Sequence, residues 1–86
     1  MTLEEIQAAL DQLVTDMMAK NVVQPQAEIT IRSGMAKPIS VSLWCSTETR
    51  CFDGGYLKGF YSNLTPEAAL EAARVYIAAM PDPETK

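Results

Sequence analysis

The sequence predicts an α+β fold with two layers, in which an antiparallel three-stranded sheet has both helices packed on one face. Apolar residues recur at helical spacing near both ends of the chain, and two central segments alternate apolar with polar residues. The connections between the central segments are short, which favours antiparallel neighbours. The predicted order is therefore α-β-β-β-α, in a single domain covering 1–80, followed by a disordered tail at 81–86.

The first helix is predicted over 2–20. Thr2 and Glu5 have the spacing of a capping box, and Asn21 is a residue type that often ends a helix, here shortly before Pro25. An apolar stripe runs along this segment at spacings of three and four residues, and it consists of Leu3, Ile6, Leu10, Leu13 and Met17. We expect this stripe to face the sheet.

Two strands follow, joined by a hairpin connection at 33–38 that contains a glycine. In the first strand, over 27–32, the residues predicted to face inward are Ala27, Ile29 and Ile31. In the second, over 39–45, the odd positions are apolar and the even positions are Ser40, Ser42 and Trp44. Side chains alternate between faces along a strand, so the only tryptophan of the chain is predicted on the face away from the helices.

The third strand is harder to define. It is either continuous over 56–61 or split, with a first part at 50–52 and a glycine turn at 53–55. Both faces of 56–61 carry apolar groups, so its inward face is not predicted.

The second helix is predicted to begin with Thr65 as N-cap and Pro66 in its first turn, and to end before Pro81. Its apolar stripe consists of Leu70, Ala73, Ile77 and Met80. The neighbouring alanines are expected to let the helix approach the sheet closely.

The composition argues against several classes of chemistry. The 86 residues carry a net charge of −4, and no histidine supplies a general base or a common metal ligand. Nucleic acid is not an expected partner of an acidic chain, although 26–61 alone, with four basic residues against three acids, is +1. The N-terminus lacks the pattern of a signal peptide, and no apolar run is long enough to cross a membrane. We therefore expect a cytoplasmic protein without cofactor or metal.

Cys45 and Cys51 lie six positions apart and are expected to be reduced thiols in the cytoplasm. A five-residue hairpin loop between them would place them opposite one another, with their Cβ atoms about 4.5 to 5.5 Å apart, which is longer than a disulfide needs. Cys45 has the parity of the apolar face and is predicted to be a small core residue. A functional redox pair is the alternative.

The open face of the sheet is the predicted partner-binding surface. Its candidate residues are Trp44, Arg32, Thr30, Ser42 and Tyr61, with Lys58 and Arg50 as further candidates. Aromatic residues and arginine are enriched in protein interfaces, so the first hypothesis is a non-enzymatic module that binds a protein partner or itself as a homodimer. The same residue types stack single-stranded nucleic-acid bases, which gives a second hypothesis.

Two further interpretations stay open. An enzyme could use acids, Cys51 or tyrosines of the 46–61 region, although no paired spacing supports one. Alternatively, the 46–55 loop or the C-terminal tail could simply cover Trp44, or its face could be misassigned. Each of these interpretations makes a different prediction about what surrounds the indole.

The order α-β-β-β-α resembles that of the double-stranded RNA-binding domain. Such domains carry a lysine-rich start to their second helix, whereas here that position reads Thr65-Pro66-Glu67-Ala68-Ala69. The resemblance is therefore one of topology, and it implies the arrangement of the elements without implying RNA binding.

Overall fold

The computed structural model of the chain has the predicted element order and describes residues 2–34, 36–49, 51–52, 55–62 and 65–81. Its elements are helix α1 (Leu3–Ala19), strands β1 (Gln26–Ile31), β2 (Ile39–Trp44) and β3 (Leu57–Ser62), and helix α2 (Pro66–Ala78). The strands form one antiparallel sheet in the order β1-β2-β3. The prediction of an α+β fold with an open three-stranded sheet is confirmed.

The predicted helix ends form through specific hydrogen bonds. Thr2 and Glu5 complete a capping box at the start of α1. At the other end, Asn21 adopts a positive φ of 60°, its N–H donates to Met18, and the Val22 N–H donates to Met17. This pattern is a Schellman motif, in which the last carbonyls of the helix are satisfied while Val22 and Met17 are both buried.

Helix α2 also begins as predicted. The hydroxyl of Thr65 accepts a hydrogen bond from the Ala68 N–H, and Pro66 occupies the first turn, where its missing N–H costs nothing. The start of this helix is tied to the sheet, because the Thr65 N–H donates to the hydroxyl of Ser62 in β3.

The core lies between the helices and the inner face of the sheet. Helix α1 packs on β1, α2 packs on β2 and β3, and the helices contact each other. The odd residues of β2 are fully covered, as their alternation predicts. The buried apolar residues are Leu13, Met17, Val22, Ile39, Val41, Leu43, Cys45, Phe52, Ala69, Leu70, Ala73 and Ile77.

Two predicted core residues are exposed. Leu3 is 81% exposed and is the first residue of α1. Ile31 is 68% exposed, although it has the inward parity. It is the last residue of an edge strand, so it has a strand neighbour on one side only.

The described residues of the 46–55 segment belong to no strand, and they do not form the predicted hairpin between the two cysteines. The Cys45 N–H donates to the carbonyl of Tyr56. The pairing of β2 with β3 therefore extends by one residue beyond the ends of the two strands. Phe52 and Gly55 form an isolated bridge, which turns the chain and carries the Phe52 side chain into the core. The third strand therefore begins at Leu57. The predicted turn residues at 53–54 and the tail at 82–86 lie outside the described residues.

Candidate interaction face

The face of the sheet away from the helices is built from three rows of side chains that cross all three strands. The pairing of the strands fixes these rows, since directly opposed residues share a face. They are Gln26–Trp44–Leu57, then Glu28–Ser42–Gly59, and then Thr30–Ser40–Tyr61. The structure thus resolves the inward face of β3, which carries Lys58, Phe60 and Ser62.

Trp44 lies on this open face, as its parity predicts, at the end of the central strand. The Tyr56 ring is 6.4 Å from the Trp44 ring between centroids and is tilted by 36°. Leu57 lies directly opposite on β3. The indole is therefore half-buried beside Tyr56 and Leu57, which belong neither to the 46–55 loop nor to the C-terminal tail that could have covered it.

The indole N–H of Trp44 is buried and has no hydrogen-bond partner among the described residues. A buried donor without an acceptor costs about 1 to 3 kcal/mol. The sequence gives no signal for this feature, because it depends on how the Tyr56 ring closes over the indole. The Trp44 corner is thus only partly satisfied in the single chain.

Tyr61 lies along the sheet over Gly59. A Cβ added at Gly59 would be 2.8 Å from the Tyr61 hydroxyl oxygen and 3.2 Å from its Cζ, so the ring occupies the space that a side chain at position 59 would fill. Tyr61 nevertheless remains 64% exposed. The absence of a side chain at Gly59 therefore turns β3 into an apolar strip of Leu57 and Tyr61 beside Trp44.

The opposite edge of the same face is polar and charged. The Thr30 hydroxyl donates to a Glu28 carboxylate oxygen at 3.4 Å, and Arg32 and Lys37 follow at the end of the strand and in the hairpin connection. Between the two edges lies a shallow depression of about 260 Å³. It is lined by Glu28, Thr30, Arg32, Lys37, Pro38, Ser40, Ser42, Trp44, Leu57 and Tyr61.

The five candidate residues predicted from the sequence all line this depression. Of the further candidates, Lys58 is on the other face, where its ammonium lies 5.2 Å from the centroid of the Tyr76 ring. Arg50 lies outside the described residues. Sequence reasoning missed Leu57 and Gly59, since a lysine on the inner side of β3 hides the alternation that would have revealed them. Among the described residues of the 46–61 region, Leu57 and Tyr61 are the two that line the depression.

A second cluster of polar groups lies where β2 ends, and it contains both cysteines. The Cys51 N–H donates to the Cys45 sulfur at 3.2 Å. The Thr49 hydroxyl is 3.7 Å from the Cys45 sulfur and 3.2 Å from the Cys51 sulfur. Both cysteines are free thiols; Cys45 is buried, as predicted, and Cys51 is half-buried.

The two thiols differ in acidity. Burial raises the pKa of the Cys45 thiol above its ordinary value, and the hydrogen bond from the Cys51 N–H only partly offsets it. Burial also acts to raise the pKa of Cys51, but hydrogen bonds from Thr49 and from the Val23 backbone outweigh it and lower that pKa. Cys51 is therefore the more readily ionised thiol of the pair.

The helix layer offers a different surface. An apolar groove of about 240 Å³ runs along the seam between α1 and α2, with Leu13 and Leu70 at its base. On its rim, Arg74 forms an exposed ion pair with Glu71, whose hydrogen bond and charge lower the pKa of Glu71 and raise that of Arg74. This groove is the outer side of the helix packing, and none of the predicted site residues lines it.

Comparisons with known proteins leave the function open. The chain matches no protein-family model, no curated protein and no solved structure. Within the described residues, no three cysteine, aspartate or glutamate side chains are grouped so that they could hold a metal ion. None of the described helices is both long and apolar enough to cross a membrane.

Proposed function

We propose that the protein is a small, non-enzymatic interaction module of the cytoplasm, which pairs with a second copy of itself through the open sheet face around Trp44. One observation carries the proposal: exposed aromatic and apolar side chains lie at one edge of a face that has charged groups at the other edge. The free thiols accord with a reducing compartment.

The distribution of charge favours approach through this face. The helices carry six acids, against Lys20 and Arg74 as the basic residues of that layer. The open face carries Glu28 together with Arg32 and Lys37. Two copies that meet through their sheets therefore keep their acidic layers apart, whereas contact through the helices would bring like charges together.

The face is also complementary to itself. A two-fold axis that crosses the strands between Ser40 and Ser42 sets Trp44 of one copy opposite Pro38 of the other. It sets Glu28 opposite Thr30 and within reach of Arg32 of the second copy. Trp44 thus faces the smaller Pro38, and the Glu28 carboxylate has an arginine of the second copy within reach.

The size of the face predicts a weak dimer. Six-residue strands at about 3.3 Å per residue, three strands wide at about 4.8 Å spacing, cover about 280 Å² in projection. A stable complex of standard size buries about 800 Å² on each partner. We therefore expect monomer and dimer to exchange, with the dimer dominant only at high concentration.

Sedimentation equilibrium over a wide concentration range tests this proposal. The average mass of the wild type should rise towards twice the monomer mass, while quenching of Trp44 fluorescence by acrylamide decreases. Trp44→Ala should weaken the dimer by about tenfold or more, because it removes the central aromatic anchor. Val75→Ala is the matched control: Val75 is 51% exposed on the helix layer, and its loss should leave the dimer unchanged. A wild type that stays monomeric at the highest concentration rejects the homodimer.

A second candidate function rests on the exposed Tyr61 ring, which lies over Gly59 on the face that also carries Trp44, because exposed aromatic rings are the groups on which single-stranded bases stack. Titration with a single-stranded oligonucleotide at low ionic strength tests it. Quenching of Trp44 that weakens steeply with added salt supports nucleic-acid binding, and the absence of quenching at low salt rejects it.

A further inference from the structure

We infer that Cys45 and Cys51 are a peroxide-sensitive dithiol that closes to an intramolecular disulfide at the corner of the sheet next to Trp44. The inference stands apart from the proposed dimer, since it rests on the contacts of the 46–55 segment and not on the open face. It assigns a modification site to a segment that the proposed function does not use.

The geometry brings the two sulfurs together. Both sulfur atoms lie near the hydroxyl oxygen of Thr49, which is 3.7 Å from the Cys45 sulfur and 3.2 Å from the Cys51 sulfur. The Cys51 nitrogen is 3.2 Å from the Cys45 sulfur, so the Cys51 Cα, one bond of about 1.46 Å further on, lies within about 4.7 Å of that sulfur. Because the Cys51 backbone already contacts the Cys45 sulfur, the Cys51 side chain has only a short distance to span, so we expect closure mainly by rotation of side chains.

The surroundings of Cys45 and Cys51 differ, and this difference assigns a separate role to each thiol. Cys51 is half-buried with its sulfur 3.2 Å from the Thr49 hydroxyl oxygen, while Cys45 is buried next to the end of β2. The accessible thiolate is the nucleophile that reacts with an oxidant, and the buried thiol is placed to react with the oxidised sulfur. Thr49 lies between them and is the positioning residue of the pair.

The reaction balances with hydrogen peroxide as the oxidant. The Cys51 thiolate attacks one peroxide oxygen, the O–O bond breaks, and Cys51 becomes a sulfenic acid with release of hydroxide, which takes up a proton to give water. The Cys45 sulfur then attacks the Cys51 sulfur, the S–O bond breaks, and the departing hydroxide takes the Cys45 proton to form a second water. Two electrons from the thiols reduce one peroxide.

The site adjoins Trp44, which gives it a built-in reporter. Cys45 follows Trp44 in the chain, and its N–H donates to the carbonyl of Tyr56, whose ring packs against the indole. A disulfide at this corner therefore changes the surroundings of the only tryptophan. We expect oxidation to alter Trp44 emission in the wild type and not in Cys51→Ser.

Treatment of the reduced full chain with hydrogen peroxide tests the inference. Intact mass should fall by the two hydrogens lost in forming one disulfide, free thiols should disappear together, and dithiothreitol should restore both. Cys45→Ser should instead stop at a sulfenic acid on Cys51 that dimedone traps. Oxygen adducts on the wild type without loss of two hydrogens, or crosslinked dimers as the sole product, overturn the inference.

The pH dependence of Cys51 alkylation tests the role of Thr49. This dependence would not change if Thr49 served only to stabilise the fold. The rate of Cys51 alkylation is measured against pH in Cys45→Ser, which leaves a single thiol. The midpoint of its rise should be lower in the folded chain than in the unfolded chain, because the folded surroundings favour the thiolate of Cys51. Thr49→Val removes the hydroxyl and should shift the midpoint upward, slowing alkylation about threefold near neutral pH, whereas Thr49→Ser keeps the hydroxyl and should match the wild-type residue. Equal midpoints in folded and unfolded chain overturn the division of roles.

Discussion

The two faces of the sheet are made by the same three strands, yet their side chains have different surroundings. On the inner face, Val41 and Leu43 are fully buried under helices that have matching apolar stripes. On the outer face, Ser40, Ser42 and Trp44 come from the same strand, alternating with those core residues, and no other layer of the described chain covers them. The same strand therefore contributes alternate side chains to the core and to the uncovered face of the sheet.

The two faces also differ in how they treat polar groups. Lys58 is on the inner side of β3, where its ammonium lies over the Tyr76 ring at the margin of the core. On the outer side, an apolar tyrosine ring lies over a glycine while the indole N–H of Trp44 lacks a partner. The inner face is covered by the helices, whereas the outer face leaves aromatic and apolar side chains such as Tyr61 and Leu57 exposed.

The largest expected effect separates the faces by stability. Leu43→Ala should lower the free energy of unfolding by about 2 to 5 kcal/mol, because it removes buried methyl groups and leaves a cavity. Ser42→Ala, at the adjacent position on the other face, should change it by less than about 0.5 kcal/mol. Urea denaturation followed by circular dichroism measures both. Comparable losses in the two variants would show that the open face is part of the stabilising core.

The next effect separates the faces by charge. Glu28→Arg should weaken the proposed dimer about tenfold, since each new arginine then approaches Arg32 of the second copy. Combining it with Arg32→Glu restores opposite charges across the two-fold axis, and the dimer should recover. Sedimentation of the single and double variants provides the comparison. A double variant as weak as Glu28→Arg alone would exclude this arrangement of the two copies.

Much of this contrast could be predicted from the sequence. Alternation in β1 and β2 is clean, so the faces of Trp44, Thr30 and Ser42 follow from period two alone. The helix ends follow from Thr2, Asn21 and Thr65, whose side chains or backbone preferences act within a few residues. Local rules of this kind do not depend on how the rest of the chain folds.

What could not be predicted depends on distant parts of the chain. The face of β3 was ambiguous because Lys58 has the inward parity, and only its contact with Tyr76 of α2 explains that position. Phe52 enters the core from an irregular segment with no period to reveal it. Cys45 meets Cys51 beside Thr49 while its N–H donates to the carbonyl of Tyr56, and neither contact has a signal in the sequence. Each of these features arises from tertiary packing.

The smallest effect tests the outer face by its shape. Gly59→Ala introduces a Cβ where the Tyr61 ring lies, and the ring, as the far end of a flexible side chain, should swing away at little cost to stability. The apolar strip would then lose its flat surface, and the proposed dimer should weaken by about two- to threefold, which corresponds to less than about 1 kcal/mol. Tyr61→Ala is the matched comparison, because it removes the ring entirely and should weaken the dimer further. If Gly59→Ala strengthened the dimer, the ring in its present position would be an obstacle to association, and the surface presented to the second copy would have to exclude Tyr61.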